Sequence, residues 1–125
     1  MFLDLAHTKF DVFRQTKSLV LEVYKFTYKL PVEERYSLTQ QIRRAALSSH
    51  LNLCEGFSRK SNRERGRFFE VSRGSVIEVD SIIDICVELN FCRSEDLPKL
   101  EELIKSGFNQ LTALIKSVSG NDSPT

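Results

Sequence analysis

The sequence predicts an all-α fold, an antiparallel up-down-up-down four-helix bundle. Three observations predict it. Apolar residues recur at three- and four-residue steps through four long segments. Proline and glycine are scarce, three and five residues, and most stand at candidate boundaries. No stretch sustains the alternation of a strand, and no internal repeat is evident. Short links between amphipathic helices make neighbours antiparallel. The 125 residues suit one domain, which should bury roughly two-thirds of its surface on folding. The expected division is a lead-in over 1–9, the bundle over 10–119 and a flexible tail over 120–125.

The first helix is expected from Phe10 to Leu30. Val12, Thr16, Leu19, Val23, Phe26 and Leu30 form one seam, with Phe13, Val20, Tyr24 and Thr27 as a second row beside it. Pro31 ends it, because the ring keeps the preceding residue from helical geometry. After "PVEERY", Ser37 and Gln40 have the spacing of a capping box for the second helix. Its inward row is Leu38, Ile42, Ala45, Ser49, Leu53 and Gly56, and the small residues imply close approach of a neighbouring helix.

Ser61 and Glu64 form another capping-box candidate, opening the longest helix, over Asn62 to Asn90 and about 43 Å long. Its seam is Phe68, Ser72, Ser75, Val79, Ile82, Cys86 and Leu89, flanked by Phe69, Val76, Ile83 and Val87. Ser94 is the expected cap of the fourth helix, with Glu95 and Asp96 in the first turn, where the helix dipole favours acids. Leu97, Leu100, Ile104, Phe108, Leu111, Ile115 and Val118 give its stripe, and Gly120 a C-terminal stop. The double rows on helices one and three exceed what a bundle consumes, about three positions in seven. Self-association follows as an expectation.

Composition narrows the function classes. A net charge of +1 exerts no global pull on nucleic acid or membrane. Cys54, Cys86 and Cys92 are odd in number and widely spaced, which argues against a disulfide framework or zinc knuckle and fits a reducing cytoplasm. "MFLDLAHTKF" lacks the layout of a signal peptide, and no uncharged apolar run approaches the roughly 20 residues of a membrane span. No membrane partner and a cytoplasmic location are expected.

Charge is instead split into poles. From Thr39 to Arg73, eight basic residues face three acidic ones, a balance of +5; from Val76 to Lys105, three basic face eight acidic, a balance of −5. The positive pole centres on the turn between helices two and three. There Arg59, Lys60, Arg63, Arg65 and Arg67 are candidate phosphate contacts, since guanidinium forks fit phosphate, and Phe57, Phe68 and Phe69 lie near for base stacking. The competing reading pairs these arginines with acids of a neighbouring helix or subunit.

Asn52 and Glu55, three apart, share a helix face. Read as a buried carboxylate, Glu55 needs a partner. Arg43 and Arg44 could reach it only in an adjacent subunit, while Ser72 and Ser75 could bond Asn52. The expectation is a polar device fixing register or oligomer geometry. Catalysis is not expected. His7 and His50 do not follow a glutamate at the spacing of di-iron bundles, and phosphate-loop and nucleophile-elbow motifs are absent. Neither a metal site nor a cofactor is expected. Glu55 and Glu78 are the one carboxylate pair that could converge.

The run "LPVEERYSLTQQIRRAALSSHLNLCEGFSRKSNRERGRFFEVSRGSVIEVDSII" resembles the core signature of the 23S rRNA-intervening-sequence protein family of bacterial four-helix bundles. Matching positions are Pro31, Glu34, Tyr36, Leu38, Gln41, Ile42, Arg43, Arg44, Ala45, Ser48, Asn52, Glu55, Gly56, Gly74, Ser75 and Glu78. The likeness spans about Phe10 to Val118. It departs at Ser49 and His50, where the family tends to an isoleucine-proline pair, and at Cys54, where alanine is usual. The resemblance implies a fold similar to the accessory variability protein of diversity-generating retroelements, a barrel-like homopentamer associated with reverse transcriptase and RNA.

Together these readings predict a non-enzymatic homo-oligomer, pentamer first, that associates with structured RNA or an RNA–protein complex through the basic turn. Arg43, Arg44, Asn52, Glu55, Gly56, Gly74, Ser75 and Glu78 would hold packing and interface. The alternative is a protein-binding adaptor that docks through the acidic pole.

Overall fold

The computed structural model describes residues 1–119. The expected Gly120 stop and the tail over 120–125 lie outside the described residues. Helix α1 spans Asp11–Phe26, with a 3-10 turn before it at Ala6–Lys9 and another after it at Thr27–Lys29. Every residue of the expected seam, from Val12 to Leu30, is buried.

Helix α2 covers Leu38–Ser58. Its row Ile42, Ala45, Ser49, Leu53 and Gly56 is buried, joined by Ala46. The capping box expected at Ser37 and Gln40 does not form. A 3-10 turn at Val32–Glu34 brings the Glu34 carboxylate close, and the Ser37 hydroxyl donates to Glu34 Oε1 at 2.5 Å. The backbone at Ser37, with φ −127° and ψ −97°, lies outside the extended geometry from which a cap oxygen reaches the first-turn amides.

Helix α3 covers Asn62–Glu88. Ser61 caps it as expected, its Oγ accepting the Glu64 backbone N–H at 3.1 Å. The far end closes at Asn90, whose φ of 62° lies in the left-handed region. There the Phe91 N–H donates to Cys86 O at 2.9 Å and the Asn90 N–H to Val87 O at 3.0 Å, a Schellman closure using asparagine in place of glycine. Within the seam, Phe69 rather than Phe68 is the buried aromatic, and Leu89, past the helix end, is exposed.

Helix α4 runs Pro98–Ser119. Ser94 instead opens a 3-10 turn, Ser94–Asp96, and Leu97 breaks from helical geometry at φ −124° and ψ 46°. Proline, with its fixed φ and missing N–H, then starts the helix. Leu97 is buried from outside the helix, and the inward row within α4 is Leu100, Leu103, Gly107, Leu111 and Val118. Ile104 and Ile115 are half-buried and Phe108 is exposed.

Helix α1 packs on α2 and α4, and α3 packs on the same two. Cross-helix bonds fix the directions: Arg43 to Thr27, Ser72 to Ser49 and Arg73 to Thr112 each join adjacent antiparallel helices. The result is a four-helix bundle with no strand among the described residues. No helix among them is long and apolar enough to cross a membrane.

The apolar width expected to serve a second surface is spent differently. Phe69 and Val76 lie in the core, and Ile83 and Val87 are half-buried. Exposed apolar residues include Val71, Ile77 and Ile85 on α3 and Leu47 and Leu51 on α2, as well as Leu21 on α1 and Phe108 on α4.

Candidate functional site

The turn between α2 and α3 is held from both sides. Arg59, the residue that ends α2, returns its backbone N–H to Gly56 O at 3.2 Å. Its side chain pairs with Glu55 Oε1 at 2.5 Å, and its guanidinium lies over the Phe68 ring, 4.8 Å from the centroid. Arg65, one turn into α3, donates from Nε to Arg59 O at 2.7 Å, satisfying a carbonyl that α2 leaves open. Two of the five basic residues are therefore committed to building the turn.

Lys60, Arg63 and Arg67 are exposed, and among the described residues none forms an ion pair. No carboxylate among the described residues pairs with these three. The expected stacking platform, however, is absent. Phe69 is 1% exposed. Phe57 is enclosed by the rings of His7, Phe10 and Phe69, and Phe68 is covered by Arg59. The aromatic residues at this turn are spent on packing within the chain.

The polar residues of α2 and α3 form a ladder down the contact between them. Gln41 Nε2 donates to Glu78 Oε2 at 2.8 Å. The Ser48 and Ser75 hydroxyls meet at 2.9 Å, and buried Ser72 donates to Ser49 O at 2.5 Å. Asn52 does not reach Ser72 or Ser75 directly; its Nδ2 bonds Ser48 O at 2.9 Å and Ser48 Oγ at 3.0 Å. Within the chain Glu55 is exposed rather than buried, and its partner is Arg59. Glu55 and Glu78 do not converge. Glu78 sits beside Gln41, fourteen residues before Glu55 on α2, a separation of about 21 Å. Gly56 admits the Phe69 ring, whereas Gly74 is exposed and no heavy atom lies within 4 Å of a Cβ built there.

Arg43 turns inward to α1. Its Nε and Nη2 donate to Thr27 Oγ1 at 3.0 and 2.7 Å, and Thr27 donates onward to Tyr24 O at 2.7 Å. The guanidinium lies 4.4 Å from the Tyr24 ring centroid and 5.9 Å from that of Tyr28. Arg44 is exposed without an ion pair among the described residues. Sequence reasoning missed this arrangement. Its signal was Tyr24, Thr27 and Tyr28 at helical spacing, three groups able to receive a guanidinium.

His50 is a satisfied residue. Its Nδ1 meets Thr16 Oγ1 at 2.7 Å and its Nε2 lies 3.9 Å from Cys54 Sγ. Burial, with Lys17 and His7 nearby, lowers its pKa below 6.5. Burial raises the Cys54 pKa, so the contact does not make a reactive thiolate. Burial, Cys92 and Glu34 push the Cys86 thiol up to about 11. Among the described residues no group of three or more His, Cys, Asp or Glu is placed to hold a metal ion.

Comparison with known proteins places this architecture. A family model described as "23S rRNA-intervening sequence protein" matches residues 8–113. No curated protein matches the sequence. The fold is similar to that of a protein of unknown function from the S23 ribosomal protein family of Bacteroides thetaiotaomicron VPI-5482, known from a 1.70 Å crystal structure. That likeness has a TM-score of 0.59 at 15% identity and covers 90% of this chain and 99% of the other.

Proposed function

Since the chain belongs to the 23S rRNA-intervening sequence protein family, we propose that it is a non-enzymatic, self-associating bundle that binds structured RNA, alone or within a ribonucleoprotein, through the α2–α3 turn. One observation carries this reading. Lys60, Arg63 and Arg67 are exposed and, among the described residues, free of carboxylate partners on a turn that Arg59 and Arg65 hold in shape. The braced backbone presents three cations side by side, and each contact with a phosphate backbone releases counterions. The backbone supplies the attraction and RNA shape the selectivity. Self-association, with five copies the favoured number, would cover Val71, Ile77 and Ile85 on α3 and Leu51 on α2.

The test is a titration of a structured RNA hairpin at increasing salt, with the Lys60→Ala/Arg63→Ala/Arg67→Ala variant beside the unaltered chain. Affinity should fall with salt, and the variant should flatten the logarithmic slope by about one unit per residue removed. Light scattering reads assembly in parallel. Equal binding by both proteins, or none at low salt, sinks the RNA reading. A second reading rests on Asp80, Asp84 and Glu88, which are exposed near Ile77 and Ile85 on α3 and would dock a basic protein partner. Retained binding of such a partner without RNA binding would select it.

A further inference from the structure

A second basic surface lies at the other end of α2, and none of the α2–α3 turn residues contributes to it. Between α1 and α2 an open groove of about 410 Å³ has Arg35, Arg43 and Arg44, Tyr24 and Tyr36, and Leu47 among its lining residues. Its volume falls within the roughly 300–1,000 Å³ typical of small-ligand sites. The lining contains no carboxylate. Arg43 is half-buried and bonds only a neutral hydroxyl, that of Thr27. Its Nη1 has no acceptor among the described residues. A partly desolvated guanidinium lacking a counter-charge is unfavourable alone and favours an anion from outside. Arg35 and Arg44 flank it, exposed and without ion pairs among the described residues.

The aromatic groups missing from the α2–α3 turn are present here. Tyr36 is 82% exposed, and Tyr24, at 39%, carries Arg43 against its ring. An anion site beside an open ring fits a phosphate joined to a flat base. We propose that this groove binds an unpaired nucleotide of a single-stranded RNA, with phosphate on Arg43 and Arg44 and the base stacked on Tyr36. Stacking on tyrosine tolerates every base, since each offers a π-face. The groove would therefore accept single strands with little sequence preference. Arg44 on α2 and Arg59 at its C-terminal cap are fifteen residues apart, about 22 Å along the axis. A folded RNA held at the turn could thus place a loop or an end in the groove.

The experiment uses the full chain carrying Lys60→Ala/Arg63→Ala/Arg67→Ala, so that failure of the turn reading and failure of the groove reading give different results. Three probes are titrated: a single-stranded adenosine pentanucleotide, adenosine 5′-monophosphate and inorganic pyrophosphate. NMR follows the tyrosine ring signals and the Arg43 Nε–H. The pentanucleotide should shift Tyr36 and Arg43, and the mononucleotide should shift the same signals at higher concentration. Pyrophosphate should move Arg43 and leave the Tyr36 ring unmoved. Tyr36→Ala and Arg44→Ala, both at exposed positions, should weaken pentanucleotide binding by roughly tenfold or more. Pyrophosphate binding as tightly as the pentanucleotide would overturn the nucleotide assignment. So would unchanged affinity in both variants, or a loss of assembled mass in light scattering, which would give the groove to a second copy of the chain.

Discussion

The ring of Phe69 occupies the space where a side chain on Gly56 would stand. A Cβ at 56 would lie 2.6 Å from Phe69 Cε1 and 2.8 Å from Cδ1, with Phe68 Cβ at 3.1 Å. Phe69 is 1% exposed and packs edge-on against Phe57, with centroids 5.1 Å apart. It has nowhere to retreat. Gly56 therefore sets how closely the C-terminal end of α2 meets α3, and with it the position of the basic turn.

Gly56→Ala pits two effects against each other. Alanine favours the helix by up to about 1 kcal/mol, while overpacking a tight core costs about 1–3 kcal/mol. The clash should win, leaving a net loss of about 1–2 kcal/mol in urea unfolding. A variant as stable as the parent would mean that Phe69 has room to move.

Gly74→Ala is the contrasting case. Gly74 lies mid-α3, exposed, with no heavy atom within 4 Å of a Cβ there. In the dissociated chain the substitution should stabilise by up to about 1 kcal/mol through helix propensity alone. It also sits on the outer side of α3, between Val71 and Glu78, in the surface proposed for self-association. Thermal unfolding at low concentration should show the gain, while light scattering should show weaker assembly. Unchanged assembly would place Gly74 outside the interface.

The fold was legible because its helices carry long, regular seams. The α1 seam was readable residue by residue, and Ser61 announced α3 by its cap. Errors arose at helix starts, where backbone geometry decides the cap and the face turned inward. Ser37 stands in a backbone conformation that does not cap α2, and the buried stripe of α4 runs through Leu103 and Gly107 rather than Ile104 and Phe108. At the candidate site the clustering of arginines was visible, but the split between them was not. That Arg59 and Arg65 brace the turn while Lys60, Arg63 and Arg67 stay open depends on where carbonyls and Glu55 lie in space. Likewise Phe57, Phe68 and Phe69 look alike in the sequence, and only the packing shows that all three are occupied.

Thr27→Val probes how Arg43 is held. Valine keeps the shape of threonine but removes the oxygen that accepts from Arg43 Nε and Nη2. Leaving these half-buried donors unpaired should cost about 1–3 kcal/mol. The double variant Thr27→Val/Arg43→Met removes both partners and should recover part of the loss, which a double-mutant cycle measures. Additive losses would mean that the two side chains are uncoupled and that Tyr24 alone positions the guanidinium.

Acid should weaken the bundle through His50. Its ring lies 4.8 Å from the Phe13 centroid and bonds Thr16. Burial is the largest cause lowering its pKa from 6.5, followed by Lys17 and His7. With the native pKa below the unfolded one, the unfolded chain binds more protons between the two values. The contribution is therefore intact above pH 6.5 and is lost as pH falls toward and through the native pKa. His50→Gln removes this titration while keeping a polar group near Thr16. Denaturant midpoints at about pH 7.5 and about pH 5 should both fall with acid, and more steeply for the unaltered chain than for the variant. Parallel slopes would mean that His50 titrates in the bundle as it does in the unfolded chain, and that Thr16 and Phe13 do not discriminate between its neutral and charged forms.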